Sequence, residues 1–476
     1  MECVAPIDDA AGIAYYRSPG HDERLRTATR PLAEETARAM TDDASPRTVV
    51  FFPEGAFGPT NNCVGIANVL RQRGHRVVFV VEESFAGTLS AKGFEERLMR
   101  LQAPPEVPEE PGQFWKDFIR DTAPHFRKST TEQLESLILP IWEQLVSGSI
   151  FVEERLGEIF AEVQPDVIVQ DNVVAFPAVL AAGVPWVRIV SCNPLELPDA
   201  ALPPVFSGLP AADQTEWAAF EQTYSRLHTD LHRKFDDFVQ ARGCPALPDD
   251  GFMVDSPYLT LYVYPEEADY ARATSPASTV HRLDSSVRTT DPPFTMPTQL
   301  AGDGKLIYVS LGSLGAAEPE LMGRLVDLLA GTPHRVIMSL GPQAGQLALP
   351  NNIYGEEFLP QPSILPMVDA VITHGGNNTT TESFFFGKPM LVLPLFWDQH
   401  DNAQRVDELD FGHRLAPYGF TDAEFLAALD DVLTDETRRS RMAGMAQRLQ
   451  ANPGPAKAAD LIERLATEQE PIHRDA

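Results

Sequence analysis

The stretch Thr373-His374-Gly375-Gly376-Asn377-Asn378-Thr379-Thr380-Thr381-Glu382 holds the densest set of reactive groups in the chain. An apolar run (AVIT) ends at Thr373, two glycines let the backbone turn closely, and hydroxyl residues open a helix. Free backbone N–H groups and the positive end of a helix dipole then meet at one point, which suits an anion. His374 can donate to a phosphate oxygen, and Thr379 and Thr380 can donate through side chain and backbone. Glu382, about one turn further, can accept from a pair of sugar hydroxyls. The same stretch also fits a capped helix with a satisfied histidine, so its neighbours decide. Phe396-Trp397-Asp398-Gln399-His400-Asp401-Asn402 follows the next apolar run and offers acceptors and a donor for hydroxyl groups. Upstream, Phe358-Leu359-Pro360-Gln361 presents a ring that can stack on a base, and Leu311-Gly312-Ser313 ends a strand where it can meet a diphosphate.

These four motifs, in this order and spacing, resemble the nucleotide-sugar signature of the UDP-glycosyltransferase superfamily, whose members are inverting enzymes of GT-B fold. Gln361 stands thirteen positions before His374, as in the bacterial antibiotic- and macrolide-glycosylating members. The resemblance is detailed over residues 306–406 and coarser over 47–290. It implies that Ser313, His374, Gly376, Asn378, Thr379 and Thr380 hold the diphosphate, and that Phe358 and Gln361 hold the base. Glu382 would hold the ribose, and Asp398 and Gln399 the transferred sugar. Phe358 stands where a tryptophan is usual, which keeps stacking but alters the platform for the base.

The N-terminal half departs from the family. There the loop after the first strand carries a histidine that acts as general base, oriented by an aspartate after a later strand. Counting back from Arg73-Gly74-His75, Pro59 falls at the base position, and the loop from Pro53 to Asn62 contains no histidine. The aspartate has a counterpart in Asp171, after the strand DVIVQ. Asp171 could take the acceptor's proton directly or through water, and Glu54 is a second candidate. A positioned base contributes about 10²–10⁴-fold in rate, so its loss slows the reaction without forbidding it. A lone aspartate after a strand is otherwise a helix cap, and Glu54 is otherwise a solvated loop carboxylate.

The elements that must position these residues alternate strand and helix. Thr48–Phe52 (TVVFF) reads as a strand buried on both faces, followed by a helix near Asn61–Arg73 and a strand over His75–Val81. Helices fill Gln113–Val163, and Asp166–Gln170, Trp186–Val190 and Tyr258–Tyr264 are further strands, the last closing this half. Alternation restarts with strands at Leu306–Leu311, Arg335–Leu340, Ala370–Thr373 and Met390–Pro394, separated by helices near 319–329, 363–367 and 378–386, and ends in three helices. The expected fold is α/β, two doubly wound Rossmann-like domains facing across a cleft, with ligands at the strand C-termini. The expected boundaries are an N-terminal extension over 1–46, an acceptor domain over 47–284, a proline-bearing linker over 285–303, a nucleotide-sugar domain over 304–455, and a C-terminal helix and tail over 456–476. Residues 1–39 could equally reflect an over-long start.

Composition narrows the partners. The 476 residues carry 38 Lys plus Arg against 68 Asp plus Glu, a formal charge of −30. That balance argues against nucleic acid or an anionic membrane, which need clustered cations. Four scattered cysteines without a CxxC pair fit a reduced, cytoplasmic protein with no zinc site. No secretory signal or membrane-spanning segment is visible in the sequence. His228 and His232 stand four apart, as metal ligands would, but lack a third partner and read as an exposed helix face.

The resulting expectation is a hexose transfer, with inversion, from a UDP-sugar (UDP-glucose) to a hydroxyl of a lipophilic small-molecule natural product. No metal or other cofactor is expected, since the helix N-terminus and His374 supply the diphosphate's positive environment. Phe114, Phe118 and Phe206, in segments flanking the N-terminal cleft, are the expected acceptor contacts, though core packing explains such residues equally well. The alternative is a nucleotide-sugar-binding auxiliary protein without transferase activity, suggested by the absent histidine.

Overall fold

The apolar runs fold into parallel strands buried on both faces, and helices cover each face. The computed structural model describes residues 45–104, 121–316 and 318–474. Most of the expected extension and the acceptor candidates Phe114 and Phe118 therefore lie outside the described residues, while Pro46–Ala476 form one compact unit.

The first sheet contains β1 (Thr48–Pro53), β2 (Arg76–Glu82), β3 (Glu95–Met99), β4 (Val167–Asp171), β5 (Trp186–Val190), β6 (Leu259–Tyr262) and β7 (Val280–Arg282). Its seven strands run in the order β3-β2-β1-β4-β5-β6-β7, all parallel. The second contains β8 (Leu306–Ser310), β9 (Arg335–Ser339), β10 (Ile353–Glu356), β11 (Ala370–Thr373), β12 (Met390–Val392) and β13 (Gly412–Arg414). Its six strands follow the order β10-β9-β8-β11-β12-β13, again parallel. In each sheet the chain moves outward from its first strand, then returns to that strand's other side. The order therefore reverses between β1 and β4 and between β8 and β11, and a crevice opens beyond the strand C-termini at each reversal. Register places Pro53 beside Asp171 at one reversal and Ser310 beside Thr373 at the other.

Two expectations are corrected here. Tyr258–Tyr264 does not close the first sheet, because β7 adds a further strand beyond β6. His228 is not on an exposed face: it is fully buried on α3 (Trp217–Ala241), which follows α1 (Phe57–Gln72) and α2 (Leu139–Val163) in the chain. Its ring stacks 4.0 Å from Tyr224, and its Nδ1 lies 2.7 Å from the Tyr224 carbonyl oxygen. Among the described residues no cluster of three or more His, Cys, Asp or Glu is arranged to hold a metal ion, and no helix is long and apolar enough to cross a membrane.

The second sheet is flanked by α4 (Pro319–Ala330), α5 (Asn377–Phe385), α6 (Gln399–Glu408), α7 (Asp422–Thr434) and α8 (Glu436–Ala451). The last helix, α9 (Gly454–Glu468), returns to the first sheet. Its Ala458, Ile462 and Leu465 share one core with Phe51 and Phe79 of β1 and β2 and with Ile66 and Leu70 of α1. Small residues at 458 and 459 let α9 lie close to α1, and each larger apolar side chain buried there is worth about 1.5–3 kcal/mol. The C-terminus thus holds both domains in one unit.

Candidate active site

Both reversals carry the residues singled out by their chemistry. At the second one, β11 ends at Thr373 and the chain turns through Gly375, whose φ of +87° suits a residue without a side chain. The His374 imidazole is wedged between two glycines. A Cβ built at Gly312 would lie 2.6 Å from its Nε2, and one at Gly376 would lie 2.5 Å away. Only glycine leaves room for the ring at both points. Burial pushes the imidazole down to about 4, against a hydrogen bond to the Ser310 backbone that raises it, so near pH 7 the ring is neutral.

Helix α5 starts just beyond, with Gly376 as its cap residue and no side chain capping it. The N-terminal N–H groups are therefore left to a ligand. The Thr380 hydroxyl and the Thr380 backbone N–H both donate to Gly376 O, each at 3.1 Å, so both of its donors are engaged within the first turn. Asn378 keeps a buried Oδ1 without a hydrogen-bond partner. Ser313 lies in a single helical turn, Gly312–Gly315, directly after β8, so its backbone stands beside the His374 loop.

Gln361, Thr379, Asn378 and Glu382 form one network. Gln361 Nε2 donates to Glu382 at 2.6 Å, Asn378 Nδ2 donates to it at 3.3 Å, and the Thr379 hydroxyl donates to Gln361 Oε1 at 3.4 Å. Glu382 is only 1% exposed and pairs with Arg288 at 3.0 Å, while Arg288 also grips Asp291 at 2.7 Å. Burial raises the Glu382 carboxyl, and the Arg288 charge opposes that rise. Arg288 sits in the proline-bearing connection between the sheets, where no periodicity marked it. Phe358, in contrast, is 65% exposed.

Asp398 and Gln399, which open α6, are already engaged. Asp398 accepts from the Asn193 N–H at 2.9 Å across the cleft, and Gln399 accepts from Leu395 N–H at 3.0 Å and Phe396 N–H at 3.2 Å through its side-chain oxygen. Burial drives the Asp398 carboxyl up to about 7 and that of Asp401 up to about 8. Asp401 clips the other domain's loop in place, accepting from the N–H groups of Phe206 at 2.7 Å and Gly208 at 2.8 Å.

At the first reversal, Asp171 ends β4 and is 3% exposed. The Ser191 hydroxyl donates to one carboxylate oxygen at 2.8 Å, and the other has no partner. Burial raises the Asp171 carboxyl well above its usual range, and Glu196 and Glu54 add to the rise. Glu54 sits one residue past β1, half-buried, its N–H donating to the Asp171 carbonyl at 2.8 Å. Burial, then the charges of Glu196, Glu82 and Asp398, lift its carboxyl to about 7. Arg188 is the cation of this region, buried between Glu196 and Asp255. Ser191 joins the two halves of the site: its hydroxyl serves Asp171, and its carbonyl accepts from Asn377 Nδ2 at 2.7 Å. Asp171 and the first residue of α5 are thus two hydrogen bonds apart.

Phe206, one of the expected acceptor contacts, is buried in the core on a positive-φ loop (φ +69°), with its ring 4.3 Å from Trp397 and 6.4 Å from Trp142. Trp397 itself holds φ +58°. A bulky residue in that region is strained by about 1–3 kcal/mol, a state found most often at functional sites. Trp397 adjoined the quoted motif but carried no signal of its own, because its partners Trp142 and Phe206 lie far away in sequence. Phe206, Trp142 and Trp397 form an aromatic cluster drawn from both domains, with Phe206 and Trp142 buried in the core of the first domain.

Comparison with known proteins agrees with this geometry. Residues 323–465 match the family described as erythromycin biosynthesis protein CIII-like, C-terminal domain. The chain is 27% identical to demethyllactenocin mycarosyltransferase of Streptomyces fradiae over 438 residues, covering 90% of this chain and 89% of that protein. It resembles the crystal structure of a calicheamicin glycosyltransferase with a TM-score of 0.63 at 22% identity, covering 89% of this chain and 99% of that one. It also resembles a spinosyn rhamnosyltransferase complexed with thymidine diphosphate, with a TM-score of 0.56 at 19% identity and coverage of 87% and 100%.

Proposed function

The chain belongs to the UDP-glycosyltransferase superfamily and has its GT-B fold, and we propose that this sugar-transferring enzyme works with inversion, moving glucose from UDP-glucose to a hydroxyl of a lipophilic small-molecule natural product. The observation that carries the reading is the Asp171–Ser191–Asn377 connection, which ties the carboxylate at the first reversal to the uncapped start of α5 at the second.

In the proposed reaction the acceptor oxygen attacks the anomeric carbon from the side opposite the diphosphate. Glu54 takes the hydroxyl proton as the new carbon–oxygen bond forms. The bond to the diphosphate breaks, and its electron pair leaves with the diphosphate oxygen. The first N–H groups of α5 meet the charge that develops there, with the neutral His374 ring packed beside them. Glu54 suits the base role better than Asp171, because it is reachable from the cleft and its carboxyl near 7 matches a base working near neutral pH. Asp171 is buried behind it and holds the strand ends in position through Ser191.

The diphosphate site has donors and a helix dipole in place of a metal, so transfer is proposed to need none. The likeness to demethyllactenocin mycarosyltransferase supports a lipophilic natural-product acceptor. A non-transferring auxiliary role is not favoured, since its support is the absent histidine and Glu54 stands in the same segment, five residues before the position where that histidine is usual.

The test is the configuration of the product made from UDP-glucose, an α-linked donor, with excess chelator present. Proton NMR of the anomeric position is expected to show a β-glycoside. An α-glycoside would end the inverting reading, and activity lost with the chelator would end the metal-free one.

A further inference from the structure

Two large apolar side chains remain exposed inside the cleft, one from each domain. Phe358 is 65% exposed and Phe57 is 46% exposed. Their ring centroids stand 6.1 Å apart with planes inclined at 49°. Phe57 begins α1, and its ring is backed by Phe85, which is buried, at 5.4 Å. Phe358 lies three residues before Gln361, and Gln361 is bound to Glu382. An exposed aromatic ring held by a buried one, facing a second exposed ring across a cleft, has a cost in water that a flat ligand would remove.

We propose that Phe57 is the second wall of the nucleobase site, so that the base is held between a ring of each domain. The proposal rests on the reading that Phe358 stacks on the base. Two stacking layers of about 3.5 Å each need roughly 7 Å between ring planes. The rings, with centroids 6.1 Å apart and planes inclined at 49°, must part and turn parallel to admit a base. Nucleotide binding is thereby tied to the separation of the two domains. Phe57 lies in the same loop and helix start as Glu54, three residues away, so the base in its slot fixes the position of the catalytic carboxylate.

Calorimetric titration of the full chain with UDP, TDP and inorganic diphosphate tests this in the wild type and in Phe57→Ala, Phe57→Tyr and Phe358→Ala. Phe57→Ala is expected to weaken UDP and TDP roughly tenfold, the usual scale of one lost base–ring contact. Diphosphate affinity is expected to stay as in the wild type, and Phe57→Tyr to restore nucleotide binding. The Phe57→Ala/Phe358→Ala double variant should lose less than the two single losses summed, because the rings act on one base. Wild-type UDP affinity in Phe57→Ala with weakened affinity in Phe358→Ala overturns the second wall and leaves the base site standing. Equal weakening of UDP and diphosphate also overturns it, since damage to the loop then explains the loss. Wild-type affinity in both single variants removes the underlying base assignment as well.

Discussion

Replacing Glu54 by Gln keeps the size and most of the polarity of the side chain but removes its ability to take a proton. A positioned base is worth about 10²–10⁴-fold, or roughly 2.7–5.5 kcal/mol of barrier. Turnover should fall by that range while the affinity for UDP stays close to wild type, because Glu54 lies at the end of β1, across the cleft from the diphosphate helix. The acid limb of the pH profile gives a sharper test. Burial and the charges of Glu196, Glu82 and Asp398 hold the carboxyl near 7. The competent form is the carboxylate, so kcat/KM should fall about tenfold for each pH unit below 7, where an ordinary glutamate would remain active to about 4.3. Glu82→Gln removes one of the raising charges and should move that limb to lower pH. An acidic phenol acceptor, with a pKa of about 10, should lose less than an aliphatic alcohol when Glu54 is replaced. Steady-state kinetics over pH 5–9 in these variants would measure all of this. Turnover of Glu54→Gln within about threefold of wild type, with the limb still near 7, would refute the assignment and return the proton to Asp171.

Arg288→Met removes the cation that pairs with Glu382, which is 1% exposed, and breaking such a buried pair costs about 3–5 kcal/mol. Denaturant unfolding should show that loss, and Arg288→Met/Glu382→Gln should recover much of it; no recovery would show that the pair is not the cause. His374→Ala removes a ring that is hydrogen-bonded to the Ser310 backbone and packed against Gly312 and Gly376, and should weaken UDP binding roughly tenfold, for about 1–1.5 kcal/mol; unchanged calorimetric affinity would take His374 out of the diphosphate site. Asp398 and Asp401 have carboxyls raised to about 7 and about 8, so the folded state holds more protons than the unfolded chain between about pH 4 and 8. Their contribution is complete below about pH 4 and is lost as pH rises through 7 to 8. The thermal midpoint should therefore fall from pH 6 to 9, less steeply in Asp401→Asn, and equal slopes in both proteins would contradict this.

The strands and the phosphate-binding turn were legible because their signals are local. TVVFF, DVIVQ and AVIT are apolar runs that only a strand buried on both faces explains, and each became one. The short edge strands Glu95–Met99, Ile353–Glu356 and Gly412–Arg414 were missed, since EERLM, IYGE and GHR pair on one side or sit at a rim. Loop chemistry at Thr373–Glu382 announced a helix start, but the state of His374 depended on Gly312, far away in sequence. Arg288 lacked any pattern because its partner Glu382 is met only through folding. The return of α9 to the first sheet was equally hidden, as its alanine-rich face says that it packs closely but not on what. Trp397 and Phe206 carried no backbone signal, because nothing in their local sequence demands a positive φ.

Mass spectrometry of reactions with UDP-glucose and TDP-glucose, a panel of phenols, macrolides and sterols, and excess chelator tests the central claim most directly. The account predicts an acceptor heavier by one hexose unit together with stoichiometric release of the nucleoside diphosphate. An acceptor panel left unmodified, in a protein that also fails to bind UDP or TDP by calorimetry, would contradict it.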